Sequence, residues 1–169
     1  IDPKDMAKRI TVKTKAILPV HLFGQCANME AINAIATPKN IVVIEDAAQA
    51  IGAKRHGKPA CSMSAMGCLS FYPTKNLGAF GDGGAICTDS DKLAEICKKL
   101  RVHGSGHTYY HEMIGGMFRL AALQAAVLDV KLKYLDGWHE ARRRNAAMYN
   151  HILAGSKVKT PFIADGNYS

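Results

Sequence analysis

Ile41-Val42-Val43-Ile44-Glu45-Asp46 is a β-branched run without polar alternation that stops at two adjacent carboxylates. Such a run predicts a strand buried on both faces, as in a parallel sheet. Upstream, Ala16 to Val20 reads as a shorter strand. Asn28 then caps a predicted helix through about Ala36, with Met29, Ile32 and Ile35 on one face. Downstream, Cys68 to Tyr72 reads as a strand halted by Pro73, and Gly84 to Thr88 as another. Asp89-Ser90-Asp91 opens a predicted helix to about Val102, with Leu93, Ile96, Cys97 and Leu100 at helical spacing. Two further helical patterns run from about Leu120 to Leu135 and from about Trp138 to Leu153. Strands alternating with helices predict an α/β fold of three layers, a mostly parallel sheet flanked by helices. Ligands of such sheets collect beyond the carboxyl ends of the strands. That rule brings Asp46 and the Pro73-Thr74-Lys75 loop to one place.

The chain of 169 residues is long enough for one domain with its own core. Its formal net charge of +8 raises the question of a nucleic-acid partner. The basic residues are dispersed, however, and the clusters Lys98-Lys99-Arg101 and Arg142-Arg143-Arg144 fall on predicted helices without interleaved aromatics. A solvated helix face, or a surface for an anionic substrate, is the favoured reading, and no nucleic-acid partner is expected. No apolar run approaches the roughly 20 residues of a membrane helix, so no membrane partner is expected. The five cysteines form no C-x-x-C pair and read as buried thiols of a reducing cytoplasm. His103, His107 and His111 would share a face on a helix, but Gly104, Ser105 and Gly106 argue for a loop, and no metal site is expected. Asp89 and Asp91 are explained by an N-cap and first helical turn. Trp138 reads as packing, and Met63, Met66, Met113 and Met117 as core or interface filler. No Gly-x-Ser-x-Gly elbow supports a hydrolase.

Two residues carry the candidate chemistry. Asp46 ends an apolar strand, so its carboxylate needs a partner. That partner is a capping N–H, a structural Arg, or a cationic group such as the protonated pyridine nitrogen of a bound cofactor. Lys75 follows a buried strand in Ser70-Phe71-Tyr72-Pro73-Thr74-Lys75-Asn76-Leu77-Gly78. It is either a solvated surface charge or an amine made nucleophilic by its surroundings, able to form an imine with an aldehyde. Ser70 could offer a hydroxyl to a phosphate, and Gly78 to Gly84 permit tight turns.

The order of these elements is more specific than any one of them. Val43-Ile44-Glu45-Asp46-Ala47-Ala48-Gln49-Ala50, Leu69 to Ala79, and Gly81-Asp82-Gly83-Gly84-Ala85 together resemble the DegT-type sugar aminotransferases. Pro19 to Gln25, Leu100-Arg101-Val102-His103-Gly104, Arg119-Leu120 and Leu123-Gln124-Ala125-Ala126 extend the resemblance, which covers residues 2 to 153. It implies the type I fold of pyridoxal 5′-phosphate (PLP) enzymes and a homodimer with active sites at the subunit interface. By the same resemblance, Lys75 is the lysine that joins the cofactor as a Schiff base and shuttles protons. Asp46 pairs with the pyridine nitrogen, Gln49 lies near the 3-hydroxyl, and Ser70 binds the phosphate. The implied reaction is amino transfer, with glutamate as donor, to the keto group of a nucleotide-linked sugar. The implied setting is cytoplasmic, in pathways to lipopolysaccharide, capsule or antibiotic sugars. Relatives with His at the lysine position are dehydratases, and Lys75 favours transamination.

Family members are about twice this length. The chain therefore reads as an internal piece: residues 1–155 as part of the large cofactor-binding domain, and 156–169 as the start of a connection to a small C-terminal domain. The piece alone is expected to hold the cofactor weakly or not at all. Three positions depart from the family pattern. Met117 stands where the family has an Asn that reaches the neighbouring subunit's cofactor phosphate, Ala121 replaces an Asp, and Ile51 replaces a frequent His. These departures keep open an alternative, a catalytically impaired or non-catalytic relative acting as a folded dimerising module.

Overall fold

Asp2-Pro3 starts the first helix, α1 (Pro3–Arg9). The Asp2 side chain accepts the Lys4 N–H at 2.8 Å, and proline presets the first-turn φ. Next come β1 (Ala16–Ile17), α2 (Met29–Ala36), β2 (Val42–Asp46), β3 (Lys54–Arg55), β4 (Lys58–Pro59), β5 (Met66–Ser70) and β6 (Gly84–Cys87). The rest of the chain forms α3 (Asp91–Leu100), β7 (Ser105–His107), β8 (Tyr110–His111), α4 (Ala122–Leu132), α5 (Leu135–Ile152) and β9 (Asn167–Tyr168). This computed structural model describes residues 1–107 and 109–168.

The central sheet has the order β1-β2-β5-β6. Its first three strands are parallel, and β6 returns antiparallel beside β5. The predicted α/β architecture with a mostly parallel sheet is therefore present. Several expected boundaries move for local reasons. β1 stops at Ile17 because Pro19 cannot donate to a ladder, although Val20 still bridges Asp46. β5 ends at Ser70 rather than Tyr72, because the Phe71 carbonyl is taken by the Ala79 N–H at 2.8 Å. The helix after β6 is capped by Ser90, whose hydroxyl accepts from Leu93, and it ends at Leu100. The two C-terminal helices meet at Lys133–Tyr134, with Tyr134 stacked on Trp138 at 6.0 Å between ring centroids.

Three expectations are corrected. Val42 is 45% exposed, so β2 is not buried on both faces. Helices α1 and α2 cover only the Val43 side, where Met6, Ile17, Met29, Ile32, Ala36 and Val43 form one core cluster. Ser105–His107 and Tyr110–His111 also pair antiparallel as β7 and β8 rather than lying in a plain loop, with the His111 ring Nδ1 at 2.9 Å from the His103 carbonyl. Of the five free thiols, only Cys26 and Cys61 are buried. Burial pushes the first up to about 11 and the second to about 12, which keeps both as inert packing groups.

The least expected interior group is Glu45, fully buried beside His21. Its Oε2 accepts from His21 Nε2 at 2.9 Å and the Cys61 N–H at 2.8 Å, while Oε1 accepts from the Met63 N–H at 2.8 Å and Ser64 Oγ at 3.0 Å. His21 Nδ1 accepts the Ala27 N–H at 3.1 Å, which leaves the ring proton on Nε2 for Glu45. Burial alone would raise the Glu45 carboxyl, but hydrogen bonds from His21, Cys61, Met63 and Ser64 outweigh it and hold the group below its ordinary value. A carboxyl depressed on folding contributes stability above its ordinary range and loses it as pH falls through the lower folded value. Glu45→Gln turns an NH2 donor toward N–H donors and should cost about 2–3 kcal/mol at neutral pH. In urea unfolding, the gap from wild type should close as pH drops below about 4.5. A gap that is constant with pH would count against the ionised Glu45.

Candidate active site

Side-chain parity divides the sheet. Paired residues of adjacent strands share a face, and successive residues alternate. Asp46 pairs with Cys68, and Ser70 with Gly84. Asp46 and Ser70 therefore lie on one face of the sheet at its carboxyl edge, while Glu45 and Leu69 lie on the other.

Asp46 is half-buried and pinned by its backbone. Its N–H donates to the Pro19 carbonyl and its carbonyl accepts from the His21 N–H, both at 2.9 Å. Its Oδ1 accepts the Ala48 N–H at 3.0 Å, so the capping role considered for it is present. The second oxygen has no hydrogen-bond partner among the described residues. Gln49 sits in the turn that follows β2, exposed, with Oε1 accepting the Phe23 N–H at 3.4 Å. Ser70 Oγ accepts the Tyr72 N–H at 3.3 Å, which leaves the hydroxyl proton available to an anion.

Lys75 is carried by a turn folded onto itself. Its N–H donates to the Tyr72 carbonyl at 2.8 Å, and the Phe71 N–H donates to Gly83 at the same distance. Gly78 closes the turn, and a Cβ there would collide with the Pro73 carbonyl. Beyond Lys75 the loop lies on the corner between α4 and α5. Leu77 and Ala79 are buried in a cluster with Leu128 and Leu135, against which Ile51, Phe71 and Leu120 pack. The Gly78 carbonyl accepts from Lys131 Nζ, and the Phe80 N–H donates to Gln124 Oε1 at 2.8 Å. The Lys75 side chain is half-buried and makes no ion pair or hydrogen bond among the described residues.

A cavity of about 710 Å³ opens beside this loop, with Gln49, Thr74, Lys75, Asn76, His139 and Arg142 in its wall. The structure thus brings Gln49 and Lys75 into one cavity. Asp46 and Ser70 lie at the same sheet edge but outside that wall. Sequence reasoning missed His139. Within a helix carrying three consecutive arginines it gave no signal, yet it is 8% exposed. Burial, then Arg143 and Arg142, hold its imidazole below the ordinary value and hence neutral.

The departures noted in the sequence separate here. Ile51 joins the apolar support of the lysine loop. Met117 is 67% exposed and bridges Val102. Ala121 occupies the N-cap of α4 and makes no side-chain cap. A carboxylate there would cap a helix, so this departure bears on stability first.

Comparison with known proteins is consistent across sequence and structure. Residues 1–167 match the model of the DegT/DnrJ/EryC1/StrS aminotransferase family. A pleiotropic regulatory protein of Geobacillus stearothermophilus is 54% identical over 99% of this chain and 46% of its own length. The UDP-2-acetamido-2-deoxy-3-oxo-D-glucuronate aminotransferase of Pseudomonas aeruginosa is 46% identical over 100% of this chain and 47% of its own. The crystal structure of S. venezuelae DesV in complex with a ketimine intermediate superposes with a TM-score of 0.95 at 43% identity, covering 99% of this chain and 46% of that one. The chain spans about half the length of the curated relatives it matches.

Two substitutions test these local readings. Gly78→Ala should destabilise by about 1–3 kcal/mol, because the new methyl meets backbone rather than a movable side chain. Ala121→Asp should stabilise by about 1 kcal/mol through a new N-cap. Urea midpoints read both, and opposite signs are expected.

Proposed function

This chain belongs to the DegT/DnrJ/EryC1/StrS aminotransferase family, and on that premise we propose that the protein it comes from transfers an amino group, with glutamate as donor, to the keto group of a nucleotide-linked sugar. Aminotransferases of this family use PLP. The residues present fit that cofactor. The Lys75 amine, one Asp46 oxygen and the Ser70 hydroxyl proton, each without a partner among the described residues, and the amide of Gln49 stand at one sheet edge. The single observation that carries the reading is Lys75 on its hydrogen-bonded turn, in a cavity it shares with Gln49.

When bound, PLP supplies an aldehyde carbon and a ring that withdraws electrons while its nitrogen stays protonated. Asp46 would hold that proton with its free oxygen, and its pinned backbone keeps the carboxylate from swinging away. Ser70 would donate to the phosphate, and the Gln49 amide would face the 3-hydroxyl. Lys75 Nζ would be the covalent anchor and then the base that shuttles protons between substrate and cofactor carbons, taking one from the donor's α-carbon in the first half-reaction and delivering one to the acceptor's former keto carbon in the second. Residues 156–169 would begin the connection to a smaller C-terminal domain.

The partner expected is a second copy. Tyr109, Ile114, Met117 and Phe118, close in sequence, are exposed large apolar side chains that such a partner would cover. A cytoplasmic setting and a role in polysaccharide or antibiotic-sugar synthesis follow from where nucleotide sugars and glutamate occur. A second reading, a non-catalytic dimerising relative, is favoured by Met117, whose thioether cannot donate to a phosphate.

Borohydride reduction of the full-length protein with PLP, followed by peptide mass mapping, tests the assignment. A pyridoxyl mass on Lys75 is expected, with Lys75→Ala lowering turnover by about 10²–10⁴-fold or more. Ser70→Ala should weaken cofactor binding by about 1.5–3 kcal/mol. An adduct absent from Lys75 in the full-length protein would favour the non-catalytic reading.

A further inference from the structure

Residues 76 to 80 follow Lys75, and four of them are fastened to the α4–α5 corner by the Leu77, Gly78, Ala79 and Phe80 contacts described above. The remaining one, Asn76, is adjacent to Lys75 in sequence and is held by a side chain to which the catalytic reading assigns no role. Asn76 Nδ2 lies 3.4 Å from His139 Nε2. The His139 ring sits against Gly52, which has φ +83° and no room for a Cβ on the imidazole side. The imidazole is thus clamped between the turn after β2, which carries Gln49, and the turn after β5, which carries Lys75. Both turns line the same cavity.

We infer that His139 is a positioning residue for the Lys75 amine: its unprotonated Nε2 accepts the Asn76 amide and so fixes where the lysine turn presents Nζ. The arrangement requires a neutral ring with its proton on Nδ1, because a protonated Nε2 would meet the Asn76 NH2 donor-to-donor. The groups that act electrostatically on it include Arg142, Arg143, Asp136 and Glu140 of α5, with burial and the two arginines favouring the neutral form. Lys75 stands in the wall of the same cavity. Gly52 is the counterpart of this arrangement, since any side chain there would displace the ring. The inference rests on Lys75 being the cofactor lysine, but its geometry does not require the cofactor.

The test uses the full-length protein stripped of cofactor. Lysines are reductively methylated with formaldehyde and cyanoborohydride, and the rate at Lys75 is divided by the rate at exposed Lys133, each read by peptide mass. His139→Leu should change that ratio by about threefold to tenfold, the worth of one neutral hydrogen bond. Asn76→Ala should change it in the same direction, the double variant should add nothing further, and His139→Gln, which restores an acceptor, should recover most of the wild-type ratio. An unchanged ratio in His139→Leu overturns the inference, as does equal disturbance by His139→Gln and His139→Leu. If His139→Leu loses its fold by circular dichroism, Asn76→Ala decides alone, and an unchanged ratio there overturns it. Failure of the proposed function is seen separately, as a wild-type protein that takes no pyridoxyl group on Lys75.

Discussion

The strand end that carries Asp46 depends on one buried carboxylate. Glu45 collects His21, the loop at Cys61–Ser64 and β2 around two oxygen atoms. Three chain segments that are distant in sequence are thereby held at fixed spacing. Removing one charge from a fully satisfied buried network costs far more than the network contributes over an apolar substitute, because the partners are left behind without acceptors. Strand parity then turns this internal tie outward. Glu45 points into the α2 side, so Asp46 must point to the other face. The strand end that anchors the fold and the strand end that carries the candidate counter-ion are consecutive residues.

The lysine loop is held on a different principle. It has few ladder bonds of its own, and its order comes from the helices behind it. Leu77 and Ala79 bury apolar surface against Leu128 and Leu135, while Lys131 and Gln124 satisfy the backbone groups that such burial would otherwise strand. The outcome is a short irregular segment tied down by buried side chains and by paired backbone groups. Proximity catalysis requires a nucleophile that does not have to be ordered at the moment of reaction.

The sequence made the site easier to read than its supports. The β-branched run ending at Asp46 and the Ser70–Gly78 segment were legible because turn chemistry and apolar runs are local signals. Helix α2 with its Asn28 cap, and α3 with Ser90, were legible for the same reason. Strand β1 was over-read because apolar residues extended past Pro19, and β2 was read as doubly buried because composition does not reveal which face lacks a layer. Helix α1 escaped notice although Asp2-Pro3 is a cap signal, since seven residues give too short a period. The β3–β4 hairpin turns on His56, a non-glycine residue at φ 46°, and β9 pairs with β3 across more than a hundred residues. Neither carries a local signature. Glu45 read as a second acid at a strand end, and His139 as one polar residue on a basic helix. Their burial is a property of the assembled fold.

The departures from the family pattern take on different meanings once placed. Ala121 stands at a helix start, where an aspartate would act on the α4 N-terminus before it acted on any ligand. Because α4 carries Gln124, Leu128 and Lys131, fraying at that end would be transmitted to the loop bearing Lys75. Ile51 exchanges a polar neighbour of the cavity for a methyl-rich support of Leu77. The adjacent Gly52 gives His139 the room to approach from behind. Met117 faces outward, on the apolar tract proposed to meet a second copy. Two of the three changes therefore act on how firmly the lysine turn is held, and the third acts on what is offered across the interface. Stability of the loop and competence toward a phosphate are thus separable in this chain, and a variant can lose one while keeping the other.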